Sequence, residues 1–252
     1  MAGAPMFAAE AAYRMGCGLV KICTVEENRE IIQTKLPEAM LTTYSPEDKD
    51  SMREAIRQSI SWADVIVLGP GLGISEASEY LVERVLRKFE KTIILDADGL
   101  NIVSKNLEWL EDTNAKVIIT PHLMEMSRLI DMKIPELREH KYDESTAFAN
   151  KYGVVVVLKD ARTIVSDGGN QAYINMTGNN GMATGGSGDV LSGIIAGLCG
   201  QNMSPFDAAK LGVYMHGMAG QEAAISKGRY SMIASDIVRS ITKVLEGDYY
   251  VG

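Results

Sequence analysis

The chain has 252 residues, 46% hydrophobic and 23% charged, which is enough for one α/β domain with a substantial core and too ordinary for a disordered, collagenous or coiled-coil protein. Its 25 basic and 33 acidic residues leave a formal net charge of −8, and no dense Lys/Arg run is present to track a phosphate backbone, so nucleic acid is not an expected partner. An anionic small ligand must then be held by local devices, such as backbone N–H groups at helix starts, against an unfavourable overall field.

Met1-Ala2-Gly3-Ala4-Pro5 runs directly into a helical stretch over residues 6–15, although a glycine-containing loop in an α/β sheet normally follows a strand. Short β-branched runs come next, at residues 19–23, 65–68, 92–95, 117–120 and 154–158, with helix-like stretches between them. That alternation predicts a mostly parallel central sheet with helices on both faces. Residues 163–166 and 171–174, joined by a turn at Asp167, Gly168, Gly169 and Asn170, predict an antiparallel hairpin edge. Beyond residue 187 the pattern is helical, over 189–199, 205 to about 226, and 231–245.

No repeat or linker interrupts the pattern, which predicts a single domain over residues 1–252. Cys17, Cys23 and Cys199 are widely spaced and form no C-x-x-C pair; they read as reduced core residues of a cytoplasmic protein. No apolar run approaches the length of a membrane span, and the N-terminus lacks a basic segment ahead of an apolar one.

The densest chemical signal is the run from Asn175 to Asp189, which contains Gly178, Gly181, Gly185, Gly186 and Gly188 and leads into an apolar helical segment. Glycines before a helix let the backbone approach a ligand and aim several N–H groups at one point, where an oxyanion or a transferring phosphoryl group is stabilised. Gly181 and Gly186 have the P-loop separation, but Ser187 and Gly188 stand where Lys and Ser/Thr belong, so the Walker reading fails. Gly185, Gly186, Ser187 and Gly188 form the expected anion hole, and Asp189 is the expected base for a bound hydroxyl. The plain alternative is a helix cap on a glycine-rich turn.

Four further loops stand at the ends of predicted strands. Gly69-Pro70-Gly71-Leu72-Gly73 resembles a dinucleotide fingerprint without its third glycine, since Ile74 occupies that place, and also reads as a tight structural turn. Asp96 and Asp98 alternate to one side, which suits a hydrated Mg²⁺, while capping by Asp98 is an equal reading. His122 lies at the C-terminal edge of the sheet, and Glu125 and Arg128 have the spacing of a surface pair. Lys159 and Arg162, in the loop Lys159, Asp160, Ala161, Arg162, Thr163, either neutralise nucleotide phosphate or are solvated charges. His140, His216 and the methionines show no organised spacing and read as core or surface.

Taken in order, these loops resemble the ADP/ATP-dependent NAD(P)H-hydrate dehydratase family over nearly the whole chain, and the stretch from Ala183 to Leu191 is the most specific element. The wider ribokinase-like superfamily shares only the Gly-x-Gly-Asp kernel. The resemblance implies a ribokinase-like three-layer α/β sandwich. It implies a lyase that uses ADP or ATP, with Mg²⁺, to phosphorylate and then eliminate the ring hydroxyl of the S-epimer of NADHX or NADPHX, restoring NADH or NADPH. By position it makes Asp189 the activating group, places Gly188 and Lys159 to Thr163 on the adenine nucleotide, and places Ala4, Gly71 and His122, with Asp189, on the hydrated dinucleotide. It also implies a homo-oligomer, commonly a tetramer, and an association with an NAD(P)H-hydrate epimerase domain or protein.

Two features depart from the family pattern. The family's first strand has no counterpart before Gly3, from which a truncated or misassigned start, or an exposed sheet edge, is expected. Leu123-Met124 stands where Pro-Gly is common after the histidine. The rival readings are a small-metabolite kinase of the same superfamily, of the thiazole or hydroxymethylpyrimidine type, and a non-catalytic nucleotide-binding protein.

Overall fold

The β-branched runs become strands in a computed structural model that describes residues 1–169 and 171–246. The strands are β1 (Lys21–Val25), β2 (Met40–Tyr44), β3 (Val65–Leu68), β4 (Thr92–Leu95), β5 (Lys116–Ile119), β6 (Val155–Leu158), β7 (Ile164–Ser166) and β8 (Ala172–Ile174). The helices of the first half are α1 (Gly3–Arg14), α2 (Arg29–Lys35), α3 (Lys49–Trp62), α4 (Glu76–Lys88), α5 (Asp98–Val103) and α6 (Glu108–Glu111). Those of the second half are α7 (Leu123–Ile130), α8 (Ile134–Glu139), α9 (Lys141–Tyr152), α10 (Ser187–Gly200), α11 (Pro205–Lys227) and α12 (Ala234–Glu246). The predicted turn includes Asn170 and the predicted domain includes residues 247–252, all of which lie outside the described residues.

A six-stranded sheet runs in the order β3-β4-β5-β6-β7-β8. Its first four strands are mutually parallel and the β6–β7 and β7–β8 pairs are antiparallel, which gives the hairpin edge predicted from residues 163–174. Side-chain alternation then sorts the core into two faces. Ile93, Leu95, Val117, Ile119, Val156 and Leu158 pack in one cluster with buried residues of α3, α4, α5, α7 and α9. Their neighbours Ile94, Ile118, Val155 and Val157 pack in the other with α1, α10, α11 and α12. Three layers result, with strands apolar on both faces, as a covered parallel sheet requires.

One strand expectation is corrected. The run at 19–23 does not join the central sheet: the strand is Lys21–Val25, and it pairs in parallel with Met40–Tyr44, which the sequence did not single out, as a separate two-stranded sheet. A cavity of about 560 Å³ separates the two sheets, lined by Val20 to Cys23 on one side and Val65 to Leu68 on the other. Residues of α1, α3, α4 and α10 complete its walls, and Asp189 is not among its lining residues. No helix among the described residues is long and apolar enough to cross a membrane.

The position of α10 depends on two glycines one turn apart. A Cβ at Gly193 would fall 2.1 Å from the Ala8 carbonyl oxygen, and one at Gly197 would fall 2.5 Å from Met15 Cβ. Together with Ala8, Ala11 and Ala12 of α1 they let the two helices pack backbone to backbone. We therefore expect Gly193→Ala to lower stability by about 1–3 kcal/mol through overpacking, although alanine gains ~1 kcal/mol over glycine in a helix interior. Urea unfolding measures this, and a midpoint at or above that of the parent chain would show that α1 yields without cost.

Candidate active site

The glycine run reaches α10 through Gly186, whose φ of +91° is left-handed and whose Cβ position is filled by the Phe7 ring at 2.8 Å and Ala234 Cβ at 3.0 Å. Only glycine fits there. The helix begins at Ser187, two residues before the predicted start, and no side chain caps it. Ser187 N donates to Thr184 O and Val190 N to Gly186 O, whereas the N–H groups of Gly185, Gly186, Gly188 and Asp189 donate to no protein acceptor among the described residues. A helix start with several unclaimed donors and the positive end of its dipole has the hydrogen-bonding capacity and potential that suit an anion.

Asp189 stands in the first turn of α10. Desolvation raises its carboxyl pKa to about 6; the negative charge of Asp96 adds to the rise, Lys159 opposes it, and Asp98 contributes further. A carboxylate in that range is a usable general base near neutral pH.

The two aspartates at the end of β4 play different parts. Asp96 is 1% exposed and holds three partners: Lys159 Nζ at 2.8 Å and its neighbouring Ala97 N at 2.9 Å on Oδ1, and Ser192 Oγ at 2.6 Å on Oδ2. Burial works against its charge, but Lys159 outweighs that and keeps its pKa below the ordinary value. The expected exposure of Asp96 to a hydrated cation is thus corrected: its oxygens are already engaged. Asp98 is the more accessible of the two, with Oδ2 accepting from Gly73 N at 2.7 Å. It opens α5 as its first residue rather than capping it; that cap is Ala97, held at φ 49°, a strained conformation for a side chain-bearing residue.

Gly69 carries the other wall. Its φ is +124°, and a Cβ there would fall 1.9 Å from Asp96 O, so the turn after β3 lies flat against the end of β4. Gly71 follows at φ +68°, with Ala4 Cβ 3.3 Å from where its own Cβ would be, which brings Ala4 and Gly71 side by side.

His122 caps α7, its Nδ1 accepting from Met124 N and Glu125 N at 3.1 Å each, while Glu125 Oε2 accepts from His122 N at 2.8 Å. The ring proton is therefore on Nε2, and burial together with Lys159 lowers the imidazole pKa, so the exposed edge is a neutral donor. This capping box corrects the expected surface pair: Glu125 is buried, and Arg128 donates instead to Asn101 Oδ1 at 2.7 Å.

Lys159 sits beneath the α10 start, its Nζ 3.3 Å from where a Gly188 Cβ would be. The same ammonium lies 4.0 Å from Glu125 Oε2. Burial opposes its charge, yet Asp96 and Glu125 hold its pKa above the usual lysine value. Asp160, Ala161 and Arg162 are exposed; Asp160 is anchored by Lys141 Nζ at 2.6 Å and by Thr163 Oγ1, which donates to Asp160 O at 3.2 Å. Arg162 makes only a short-range bond to Ala161 O and is otherwise free among the described residues. His216, which sequence spacing left as core or surface, lies 3.2 Å from Ser187 Oγ through Nε2. Only the contact reveals it, since a lone histidine within a long helix carries no pattern.

Comparison with known proteins follows the same residues. The profile of the NAD(P)H-hydrate dehydratase family matches residues 1–243. A bifunctional NAD(P)H-hydrate repair enzyme of Moorella thermoacetica is 37% identical over 97% of this chain but 47% of its own length, so the chain spans about half of that relative. An ADP/ATP-dependent NAD(P)H-hydrate dehydratase from Bacillus subtilis, co-crystallised with ATP and Mg²⁺, superposes with a TM-score of 0.84 at 27% identity, over 98% of this chain and 85% of that one. A ribokinase-like superfamily protein from Enterococcus faecalis gives 0.79 at 29% identity over 97% of this chain and 82% of that one, and the fold is ribokinase-like.

Removing the lysine tests the charge network. We expect Lys159→Met to cost about 3–5 kcal/mol, because it leaves Asp96 buried and unpaired, and Asp96→Asn combined with it to recover part of that loss. Denaturant unfolding of Lys159→Met, Asp96→Asn and the double variant reads this directly; independent, additive losses would mean that the pair is not a coupled unit.

Proposed function

The chain belongs to the NAD(P)H-hydrate dehydratase family, and on that premise we propose that it restores NADH and NADPH from the S-epimers of their hydrates at the expense of ADP or ATP. One observation carries the reading: the unclaimed amides at the start of α10 lie beside a carboxyl whose pKa is about 6. The amides bind a nucleotide's terminal phosphate, and Asp189 takes the proton of the ring hydroxyl as its oxygen attacks that phosphorus. The phosphorylated carbon then loses phosphate with its C–O bond pair while the neighbouring carbon gives up a proton, which regenerates the ring double bond. The products are the reduced cofactor, inorganic phosphate and the shortened nucleotide.

Each remaining site residue takes a part consistent with its geometry. Gly188, the exposed Asp160, Ala161 and Arg162, and Thr163 face the nucleotide, and Lys159, its ammonium bonded to Asp96, supports that loop from beneath; Arg162 has donors to spare for phosphate. Ala4 and Gly71, packed together, and the Nε2–H of His122 bound the dinucleotide side. The described residues contain no cluster of three or more side chains that could cage a metal ion, which suits Mg²⁺ held chiefly by water and nucleotide phosphates. Asp98, the more accessible carboxylate at the end of β4, is the one that would meet it, leaving Asp189 free as the base, and the ion would neutralise phosphate charge.

The same reading takes in the rest of the assembly. A single catalytic domain, a homo-oligomer such as a tetramer, a cytoplasmic setting for three free cysteines, and an epimerase half or partner all belong to it; the half-length match to a bifunctional repair enzyme supports the last.

Incubation with NADHX, Mg²⁺ and either nucleotide tests the proposal, through recovery of the reduced ring's absorbance together with release of phosphate. A phosphorylated metabolite as the accumulating product would favour a kinase instead. The rate constant kcat/KM is expected to fall about tenfold per pH unit below about pH 6, as Asp189 is protonated in the free enzyme. Asp189→Asn should retain nucleotide affinity and lose at least about 10²-fold in kcat; a near-normal rate would reduce Asp189 to a helix-terminal residue.

A further inference from the structure

The glycine-rich run is attached to α11 at regular intervals. Asn175 Nδ2 donates to Val213 O at 3.2 Å, Thr177 Oγ1 to Tyr214 O at 3.2 Å, and Asn179 Nδ2 to Gly220 O at 2.8 Å. These alternate residues meet one helix, the first two at adjacent carbonyls and the third nearly two turns further on. Two glycines on α11 let the segment come this close: a Cβ at Gly217 would fall 2.0 Å from Thr177 Oγ1, and one at Gly220 would fall 2.2 Å from Met182 Sδ. His216 is the last attachment and the one that reaches α10 itself, through Ser187 Oγ.

A serine in the first turn of a helix ordinarily competes for nearby backbone N–H groups with its own hydroxyl. Ser187 does not do so; its Oγ is turned to the imidazole, and the amides of Gly188 and Asp189 stay unclaimed. Burial pushes the His216 pKa down to about 4, and the positive Lys159 nearby acts in the same direction. The ring is therefore neutral throughout the working range, and its bond to Ser187 does not switch with pH.

We propose that His216 is a positioning residue of the phosphate-binding turn, acting through the Ser187 hydroxyl to keep the first amides of α10 free and aimed at a nucleotide's terminal phosphate. The inference rests on the reading of that turn as the phosphoryl-binding element. It does not depend on which hydroxyl the phosphoryl group is transferred to.

Calorimetric titration with Mg²⁺-ATP and, separately, with AMP tests it on the intact chain, because the two ligands share a nucleoside and differ in the phosphates that the turn would hold. In the parent chain ATP should bind more tightly than AMP. His216→Ala should weaken ATP about tenfold, the loss of one well-placed hydrogen-bond contribution, while AMP changes less than about twofold. Ser187→Ala, which removes the competing hydroxyl, should leave ATP binding within about twofold of the parent, and the double variant should recover most of the affinity that His216→Ala loses. His216→Gln, whose amide reaches the position of Nε2, should restore ATP binding and covers the case in which the alanine variant fails to fold.

Equal weakening of ATP and AMP, or a double variant as weak as or weaker than His216→Ala, would overturn the assignment and leave a packing role. Loss of ATP preference in the parent chain would overturn both it and the phosphoryl-binding reading. Normal ATP preference with no turnover of NADHX would leave His216 in place and remove only the substrate assignment.

Discussion

A buried ion pair underlies the active edge of this molecule. Asp96 ends β4 and Lys159 follows β6, 63 positions along the chain, and their 2.8 Å contact lies under the first turn of α10. Charges so enclosed are expensive to desolvate, and a well-packed apolar pair would often be as stable. What the pair provides is placement. The Ser192 hydroxyl bonds the same carboxylate from within α10, so the strand ends and the helix share one polar junction. Glu125, capping α7 with His122, stands 4.0 Å from the same ammonium and brings a fourth element to it.

On the proposed reading, a nucleotide phosphate approaching this edge meets Asp98 and Asp189 in a protein of net charge −8. Long-range steering therefore works against binding. Fixed dipoles have to do what net charge does not, and the helix start is bare of side-chain caps while the preceding run is tied both to α11 and within itself. Donors already ordered before the ligand arrives need no reorganisation when charge develops on the transferring phosphoryl group.

Much of this could be read from sequence where chemistry is local. Strands buried on both faces appear as unbroken β-branched runs, and the glycine run before an apolar helix announces close backbone approach. Met40–Tyr44 escaped notice because two threonines interrupt its apolar pattern and its partner is a small outlying sheet. Glu125 and Arg128 have the spacing of a surface pair, but histidine is an uncommon N-cap, so the capping box that claims Glu125 gave no warning. The Asp96–Lys159 pair and the Ser187–His216 contact join residues far apart in the chain, and no periodicity encodes either. Cavity size was no guide to the glycine-rich site: the space between the two sheets is roomy, yet neither Asp189 nor the α10 start lines it.

The lysine of that pair also restrains Asp189. A base gains strength as its pKa rises, but it loses its working form once the pKa passes the ambient pH. Burial and the neighbouring aspartates lift Asp189 to about 6, while Lys159 restrains the rise. At pH 7 a carboxyl of pKa near 6 is roughly 90% ionised, and about two units more basic than an ordinary aspartate. Without the lysine, the same burial and the same acidic neighbours would carry it towards protonation at neutral pH. A cation that is itself locked to Asp96 can exert that restraint without moving when ligands come and go, whereas a mobile surface lysine would be drawn off to phosphate. The cost of burying Lys159 is thus the condition under which a carboxyl this poorly solvated can remain a base.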